Sequence, residues 1–581
     1  MAGMVILKPK KSIREWAERA KKLLFAVITS TLLVVLLNAC SGSGGGTPEK
    51  VMNADACAAL ANTAVPAGSI GLPTTGAVVT SATWKAASGT GTSALPDYCL
   101  VSGDIKPVDP TAWNIQFKVA LPSSATWNSK VVMVGGAGFD GSIPSQVEGR
   151  FWLLPASALT HLGRGYAVFG SDGGHQAATL PHPAAFVMNQ EAYNNWAAGD
   201  ALKKTRDTAI YLMNAAYGKT PTKSYFLGIS TGGREALQVA GRWPADWDGI
   251  SSLCPARIIT SSIGFVAVSR ALAAPGAYPN QAKRAVLYNA ALAACDSLDG
   301  VSDGVISNVQ ACNYAFEPST ALLNGVPVRC PGGVDTGDTC LSDAQITALN
   351  TINSPVPFNF SLASGDTSMP GYNVYTTDTG TTSLAAALGF GTIAPGFPVT
   401  AGMPMTTSSA DSFVRYMVTG NLAFNYLTFD PSNPGPYANR LSELSALDVG
   451  DRDLSGFRAK GGKVLLMHGT ADMLISPRYT EYYFQRLQAT MGSSAVDSFL
   501  RFYMVPGFGH STSATFAVSF DALAVLENWV ERGVDPANNQ IVTDIVGVPG
   551  RTRPLCMYPT FPKYKGSGDV NSAASYTCAA Y

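Results

Sequence analysis

Seven short apolar runs, rich in β-branched and aromatic residues and bounded by Gly, Pro or Asp, set the frame of this chain. They are Ile115 to Leu121, Val131 to Val134, Tyr166 to Gly170, Ser224 to Leu227, Gly249 to Leu253, Val464 to Met467 and Phe499 to Val505. Near-continuous hydrophobicity of this length is what a strand buried on both faces requires. Between some of these runs lie helical patterns. Trp196 to Tyr217 is the clearest, with Ala, Leu, Ile and Met three to four residues apart and Lys and Arg between them. Strands alternating with helices predict a parallel sheet with helices on both faces. The rhythm stops between residues 255 and 455. That stretch carries a helical pattern from Ser269 to Ser297, closely spaced cysteines, and a low-charge Gly/Ser/Thr-rich tract from Ser361 to Ser412. It reads as an insertion over the carboxyl edge of the sheet, a lid domain. Residues 51–254 and 456–581 then form the two parts of one core.

The first forty residues belong to targeting rather than to the fold. Lys8, Lys10, Lys11, Arg14, Arg19, Lys21 and Lys22 precede an apolar run from Leu23 to Leu37, the order of a signal peptide. Leu37-Asn38-Ala39-Cys40 resembles a bacterial lipobox, with Asn38 an unusual member. Cys40 is then a lipidation site, and residues 41–50, which include Ser41-Gly42-Ser43-Gly44-Gly45-Gly46, are a flexible tether. The expected location is the periplasm or the outer membrane, or the outside of the cell, with membrane contact only through the anchor or signal segment. Forty basic and forty acidic residues leave no net charge. No basic stripe supports nucleic-acid binding. Ten cysteines suit an oxidising compartment. Without Cys40 nine remain, so at least one is unpaired. Cys254, at the end of an apolar run, is the expected odd one. Pairing by proximity in sequence gives Cys57–Cys99, Cys295–Cys312, Cys330–Cys340 and Cys556–Cys578, one of 105 possible connectivities for eight thiols.

The segment Lys223 to Leu237 carries the candidate chemistry. It holds Gly228-Ile229-Ser230-Thr231-Gly232, a Gly-x-Ser-x-Gly motif, between a strand-like and a helix-like run. A sharp strand-to-helix turn presents such a serine at a helix N-terminus, where free N–H groups favour negative charge. A serine nucleophile needs a base. Five histidines are present: His161, His175, His182, His468 and His510. In an α/β-hydrolase the order is Ser, acid, His, which leaves His468 and His510. His510 follows the strand-like Tyr503 to Val505 in a glycine-rich loop and is favoured. His468 lies too close to its strand end, and packing or a turn hydrogen bond is its expected role. Asp472, just beyond the strand Val464 to Met467, is the expected acid; Asp451 and Asp453 lack a preceding strand. Thr231 N–H is one oxyanion donor, and the loop Val134 to Gly141 supplies the other. That loop is no nucleotide cradle, because no Lys-Ser/Thr follows it.

Several ordered motifs now resemble the tannase/feruloyl esterase family of α/β-hydrolases. They are GGAGFDGS (135–142), SDGGH (171–175), KSYFLG (223–228), STGGRE (230–235), RWPADWDGI (242–250), ACDSLDGVSDGVI (294–306), HGTAD (468–472), VPGFGH (505–510), RTRPLCMYP (551–559) and YKGSGDVN (564–571). The resemblance implies a serine carboxylic-ester hydrolase with a large inserted lid. It places Ser230, Asp472 and His510 in the triad and Gly138 and Thr231 in the oxyanion hole. It also implies a structural calcium on Asp296, Asp299 and Asp303 with the backbone carbonyls of Val301 and Val305. Closely spaced carboxylates with Gly300 and Gly304 at the turns suit a hard cation, and Cys295 would staple that loop to Cys312. The implied substrate is a small aromatic ester of the feruloyl, galloyl or terephthalate-monoester type, handled by a monomer. No arginine is evident to clamp a terephthalate carboxylate, Arg415 being a nearby candidate. The rival readings are a peptidase of the same fold, for which no substrate-amine anchor is evident, and a non-catalytic surface binding protein, against which the complete triad counts.

One departure from the family is testable. The family places cysteines directly before the nucleophile and directly after the catalytic histidine, where this chain has Ile229 and Ser511. Installing both, Ile229→Cys with Ser511→Cys, is expected to form a disulfide and to stabilise the fold by about 2 kcal/mol. Thiol titration and a thermal melt check this; two free thiols under oxidising conditions would refute the placement of these loops.

Overall fold

The computed structural model describes residues 50–449 and 453–581; the targeting segment, Cys40, nearly all of the tether and Asp451 lie outside the described residues. Ten strands build the main sheet: β1 (Ala64–Val65), β2 (Gly76–Lys85), β3 (Tyr98–Lys106), β4 (Ile115–Pro122), β5 (Lys130–Val134), β6 (Ala167–Ser171), β7 (Lys223–Ile229), β8 (Gly249–Leu253), β9 (Lys463–Gly469) and β10 (Leu500–Val505). Their order across the sheet is β1-β2-β3-β4-β6-β5-β7-β8-β9-β10. From β6 to β10 every neighbouring pair is parallel. The antiparallel strands β1 to β4 extend one edge. All seven predicted strands are present, each within three residues of its expected bounds.

Side chains alternate across the sheet with the period of two that strands impose. Val131 and Met133 of β5, Phe226 of β7, and Val464 and Leu466 of β9 join one apolar cluster. Val132 and Val134, Tyr225 and Leu227, and Leu465 and Met467 join the other. The first face is covered by α2 (Asp200–Tyr217) and α3 (Thr231–Arg242), the second in part by the late helix Ala522–Arg532. The predicted helix Trp196 to Tyr217 is two helices, α1 (Gln190–Ala197) and α2. Gly199 separates them with φ at 76°, a left-handed conformation suited to glycine.

Between β8 and β9 the chain builds most of a third apolar cluster, which Phe186 to Ala197 at α1 join. The helical pattern from Ser269 to Ser297 resolves into α4 (Ile258–Ala273) and α5 (Gln281–Cys295). Strands in this part are pairs of two residues only, such as Val356–Pro357 with Ser368–Met369. The insertion's core includes Met473, Leu474 and Ile475, which directly follow Asp472. It therefore packs against the loop at the carboxyl end of β9. Cys57–Cys99, Cys295–Cys312, Cys330–Cys340 and Cys556–Cys578 are bridged, and Cys254 is free and buried. No helix among the described residues is long and apolar enough to cross a membrane.

Candidate active site

Parallel register brings the ends of five strands to one edge of the sheet. Val134 of β5 pairs with Leu227 of β7, Ile229 of β7 with Leu253 of β8, and Gly469 of β9 with Val505 of β10. Ser230, the residue after β7, has φ 61° and ψ −121°, a strained conformation that turns the chain straight into α3. Its N–H donates to Leu253 O at 2.9 Å and its carbonyl accepts Ala256 N–H at 3.1 Å. The turn closes because its glycines have no side chains. A Cβ on Gly228 would lie 2.0 Å from Gly232 O, and one on Gly233 would lie 2.4 Å from Leu253 O.

The Gly135–Gly138 loop packs on the same turn. Gly232 N–H donates to Gly136 O at 3.2 Å, and Thr231 Oγ1 donates to Gly138 O at 2.5 Å. Gly136 N–H donates to Glu235 Oε2 at 3.0 Å. Behind the loop lies Asp140, with both carboxylate oxygens buried; burial, then the charge of Glu235, pushes its carboxyl well above the usual range. Neither Gly138 N–H nor Thr231 N–H has an acceptor among the described residues. Two free donors on a shared loop contact match what an oxyanion hole requires.

Asp472 is wholly buried at the carboxyl end of β9. Its Oδ1 accepts Leu474 N–H at 2.8 Å and Ile475 N–H at 2.9 Å. Its Oδ2 accepts from His510 Nδ1 at 2.7 Å. Burial pushes its pKa up, but His510 and His468 outweigh that and hold the carboxyl well below the usual range. The His510 loop rests on bare backbone at Gly469, where a Cβ would lie 2.1 Å from Phe508 O. Ala471 N–H donates to Phe508 O at 2.9 Å, and Gly507 N–H to Thr470 Oγ1 at 3.0 Å. Ser230 Oγ and His510 Nε2 are not hydrogen-bonded in the structure. Asp453 accepts Ser455 N–H at a helix start, an ordinary local turn contact. His468, expected to pack or to bond within its turn, bonds to Asp472 Oδ2 at 3.1 Å, a contact that its place four residues before the acid could have suggested.

Ser230 and Thr231 open into a cavity of about 300 Å³. Phe139, Trp196, Ile258, Phe265 and Leu474 form its apolar walls, and Ser261, Ser262, Ser408, Ser409 and Ser412 add hydroxyls. Arg234 and Arg257 also line it. The Arg234 guanidinium sits 4.6 Å over the Trp196 ring and donates to Ala197 O at 3.2 Å. His182, at the rim, stacks on Tyr416 at 4.5 Å. Arg415 is not part of the wall: its guanidinium donates to Asp411 Oδ2 at 2.8 Å and to Leu422 O. The lid serines and His182 carry no local sequence signal, because only tertiary packing brings them to Ser230.

The acidic turn after α5 divides its carboxylates. Asp296 Oδ1 and Asp299 Oδ2 are buried with no hydrogen-bond partner. Burial pushes Asp296 up and Asp299 up to about 7. Two orphaned buried oxygens fit a cation. Asp303 is already engaged, accepting Val305 N–H and Tyr576 O–H and pairing with Arg553. Val301 N–H donates to Asp299 Oδ1 at 3.2 Å. The three carboxylates do not gather within 4.8 Å of one another; among the described residues, Cys254, His468 and Asp472 are the acidic, His or Cys trio that does.

The sheet order, the strained serine turn and the inserted lid define an α/β-hydrolase. The sequence profile described as "Tannase and feruloyl esterase" matches residues 99–579. This chain belongs to the tannase and feruloyl esterase family and is a carboxylic ester hydrolase. An uncharacterised esterase of Agrobacterium fabrum is 38% identical over 90% of this chain and 93% of its own. Mono(2-hydroxyethyl) terephthalate hydrolase of Piscinibacter sakaiensis is 31% identical over 87% of this chain and 89% of its own. Feruloyl esterase B of Aspergillus oryzae shares the fold at a TM-score of 0.71 and 22% identity, over 87% of this chain and 98% of that one.

The elbow gives a direct expectation. Gly228→Ala places a methyl group inside the backbone of Gly232, so it is expected to destabilise the protein by about 4 kcal/mol or more. A denaturant melt measures this, and wild-type stability would refute the elbow geometry.

Proposed function

We propose that this enzyme hydrolyses esters of aromatic acids through an acyl-enzyme on Ser230. The observation that carries the reading is the 300 Å³ cavity, in which Ser230 stands beside Phe139, Trp196 and Phe265. Ser230 Oγ attacks the ester carbonyl while His510 Nε2 takes its proton. Asp472 holds His510 through Nδ1 and stabilises the imidazolium. Gly138 and Thr231 N–H groups receive the oxyanion. His510 then protonates the departing alcohol, and water activated by the same nitrogen releases the acid. The names of several relatives, feruloyl esterases and a terephthalate-monoester hydrolase, describe aromatic acyl groups.

The cavity's serine hydroxyls suit the phenolic hydroxyl and methoxy groups of a feruloyl or galloyl ring. With Arg415 engaged by Asp411, and the cavity-lining Arg234 and Arg257 donating to the Ala197 and Asp448 carbonyls, a terephthalate monoester has a weaker claim. Calcium would be held by Asp296 and Asp299 with the Val301 and Val305 carbonyls, while Asp303, paired with Arg553 and Tyr576, ties the turn to the C-terminal segment. Four disulfides support export, with residues 1–40 as the signal segment and Cys40 as the lipid anchor.

Ser230→Ala is expected to lower p-nitrophenyl acetate hydrolysis about 10⁴-fold or more; equal rates would overturn the nucleophile. Among methyl ferulate, methyl gallate and mono(2-hydroxyethyl) terephthalate, the first two are expected to show the higher kcat/KM, and a preference for the third would reverse the substrate reading. Millimolar calcium after chelation is expected to raise the Tm by about 3 °C or more. Asp299→Asn is expected to abolish that rise, and an unchanged Tm in wild type would count against the calcium site.

A further inference from the structure

Asp472 is held by one side chain more than a triad requires. Besides His510, its Oδ2 faces His468 Nε2 at 3.1 Å. His468 is wholly buried at the penultimate position of β9. The same Nε2 also lies 3.1 Å from the carbonyl oxygen of Ile475. A carbonyl oxygen only accepts, so Nε2 carries a proton. On the other side of the ring, Nδ1 lies 2.7 Å from Thr480 Oγ1 of the helix Pro477–Met491. In the neutral ring, Nδ1 accepts and the Thr480 hydroxyl donates. The Ile475 carbonyl thus fixes the tautomer that offers an N–H to the Asp472 carboxylate, and the Thr480 hydroxyl suits it by donating to Nδ1.

The other titratable groups around Asp472 come from two further elements. Cys254, directly after β8, has its Sγ within 4.8 Å of the His468 and Asp472 ligand atoms. Tyr372, from the lid, donates its hydroxyl to Leu474 O at 3.1 Å. Burial, then the Asp472 charge, holds both thiol and phenol in their protonated, uncharged forms. The Cys254 thiol also hydrogen-bonds to Asp472, as a weak donor; the two histidines are the strong donors at Oδ2.

We propose that His468 is a positioning residue: a fixed Nε2–H donor that shares Asp472 Oδ2 with His510 and so sets both the carboxylate's orientation and its pull on the His510 proton. This rests on Asp472 being the triad acid. Without the second donor the carboxylate concentrates its charge on the His510 bond. Protonated His510 is then held more tightly, and activity needs a higher pH to appear. A histidine that merely fills space in the turn would lower stability without moving that midpoint.

The test uses the purified full chain and p-nitrophenyl acetate, with active sites titrated by the acylation burst. His468→Leu removes the donor. It is expected to lower kcat about tenfold with KM within twofold, and to move the acid limb of kcat/KM up by about half a pH unit. His468→Gln returns an N–H at the Nε2 position and is expected to keep the wild-type midpoint with kcat within threefold. A Leu variant with wild-type kcat and midpoint overturns the proposal, as does a Gln variant that behaves like Leu. Should His468→Leu not fold, ¹⁵N NMR of the wild type decides: a proton on His468 Nε2 across the active pH range supports the proposal, and a proton on Nδ1 alone refutes it. Asp472→Asn keeps the two readings apart. Wild-type activity there sinks the triad assignment itself, whereas an inactive Asp472→Asn with an unaffected His468→Leu sinks only the role of His468.

Discussion

Backbone lies against backbone at the centre of this enzyme, and most of the site depends on it. Gly228, Gly232 and Gly233 let β7 turn into α3 at a distance no side chain permits, while Gly135 and Gly136 bring a second loop onto the same turn. A Cβ on Gly135 would lie 2.7 Å from the Gly232 Cα. Gly469 repeats the device on the other side, where the His510 loop lies against bare backbone. Ser230, the Gly138 and Thr231 N–H groups and His510 are thus placed by contacts between main-chain atoms. Such contacts have little conformational freedom to lose, so the site is preorganised before any substrate arrives.

The two faces of the sheet and the inserted lid divide the remaining work. The sheet faces bury alternating side chains and keep the strand ends in register. The lid has its own apolar core, which reaches Met473 to Ile475 beside the acid. Lid packing and the Asp472 carboxylate therefore share residues. The Leu474 and Ile475 N–H groups anchor Asp472 Oδ1, and both residues also line the cavity. A lid displaced from this seat would loosen Asp472 as well as open the pocket.

The parallel strands were legible because burial on both faces makes them continuously apolar. The antiparallel strands β2 and β3 were not, since the outer part of β2, Thr80 to Lys85, is largely exposed and mixes Ser and Thr with Trp84. The division at Gly199 was hidden because apolar spacing continues across it. The triad candidates stood out in sequence because each follows a strand, a local property. The cavity wall did not, because Ser408, Ser409 and Ser412 lie far along the chain from Ser230 and meet it only through tertiary packing. Arg415 shows the converse: placed near the right region by sequence, it spends its donors on Asp411 and Leu422.

The disulfides bear on how the chain reaches this state. Each bridge joins cysteines 42 residues apart or fewer, and three of the four join cysteines within 22. Short loops close at low entropic cost, so these pairs can form from local encounters before the long insertion has folded. Cys254 lies outside all four loops. Its final neighbour strand, β9, is made some two hundred residues later. Vectorial emergence of the chain would thus let oxidation proceed loop by loop and leave the ninth thiol to be sealed inside the sheet as the last strands dock.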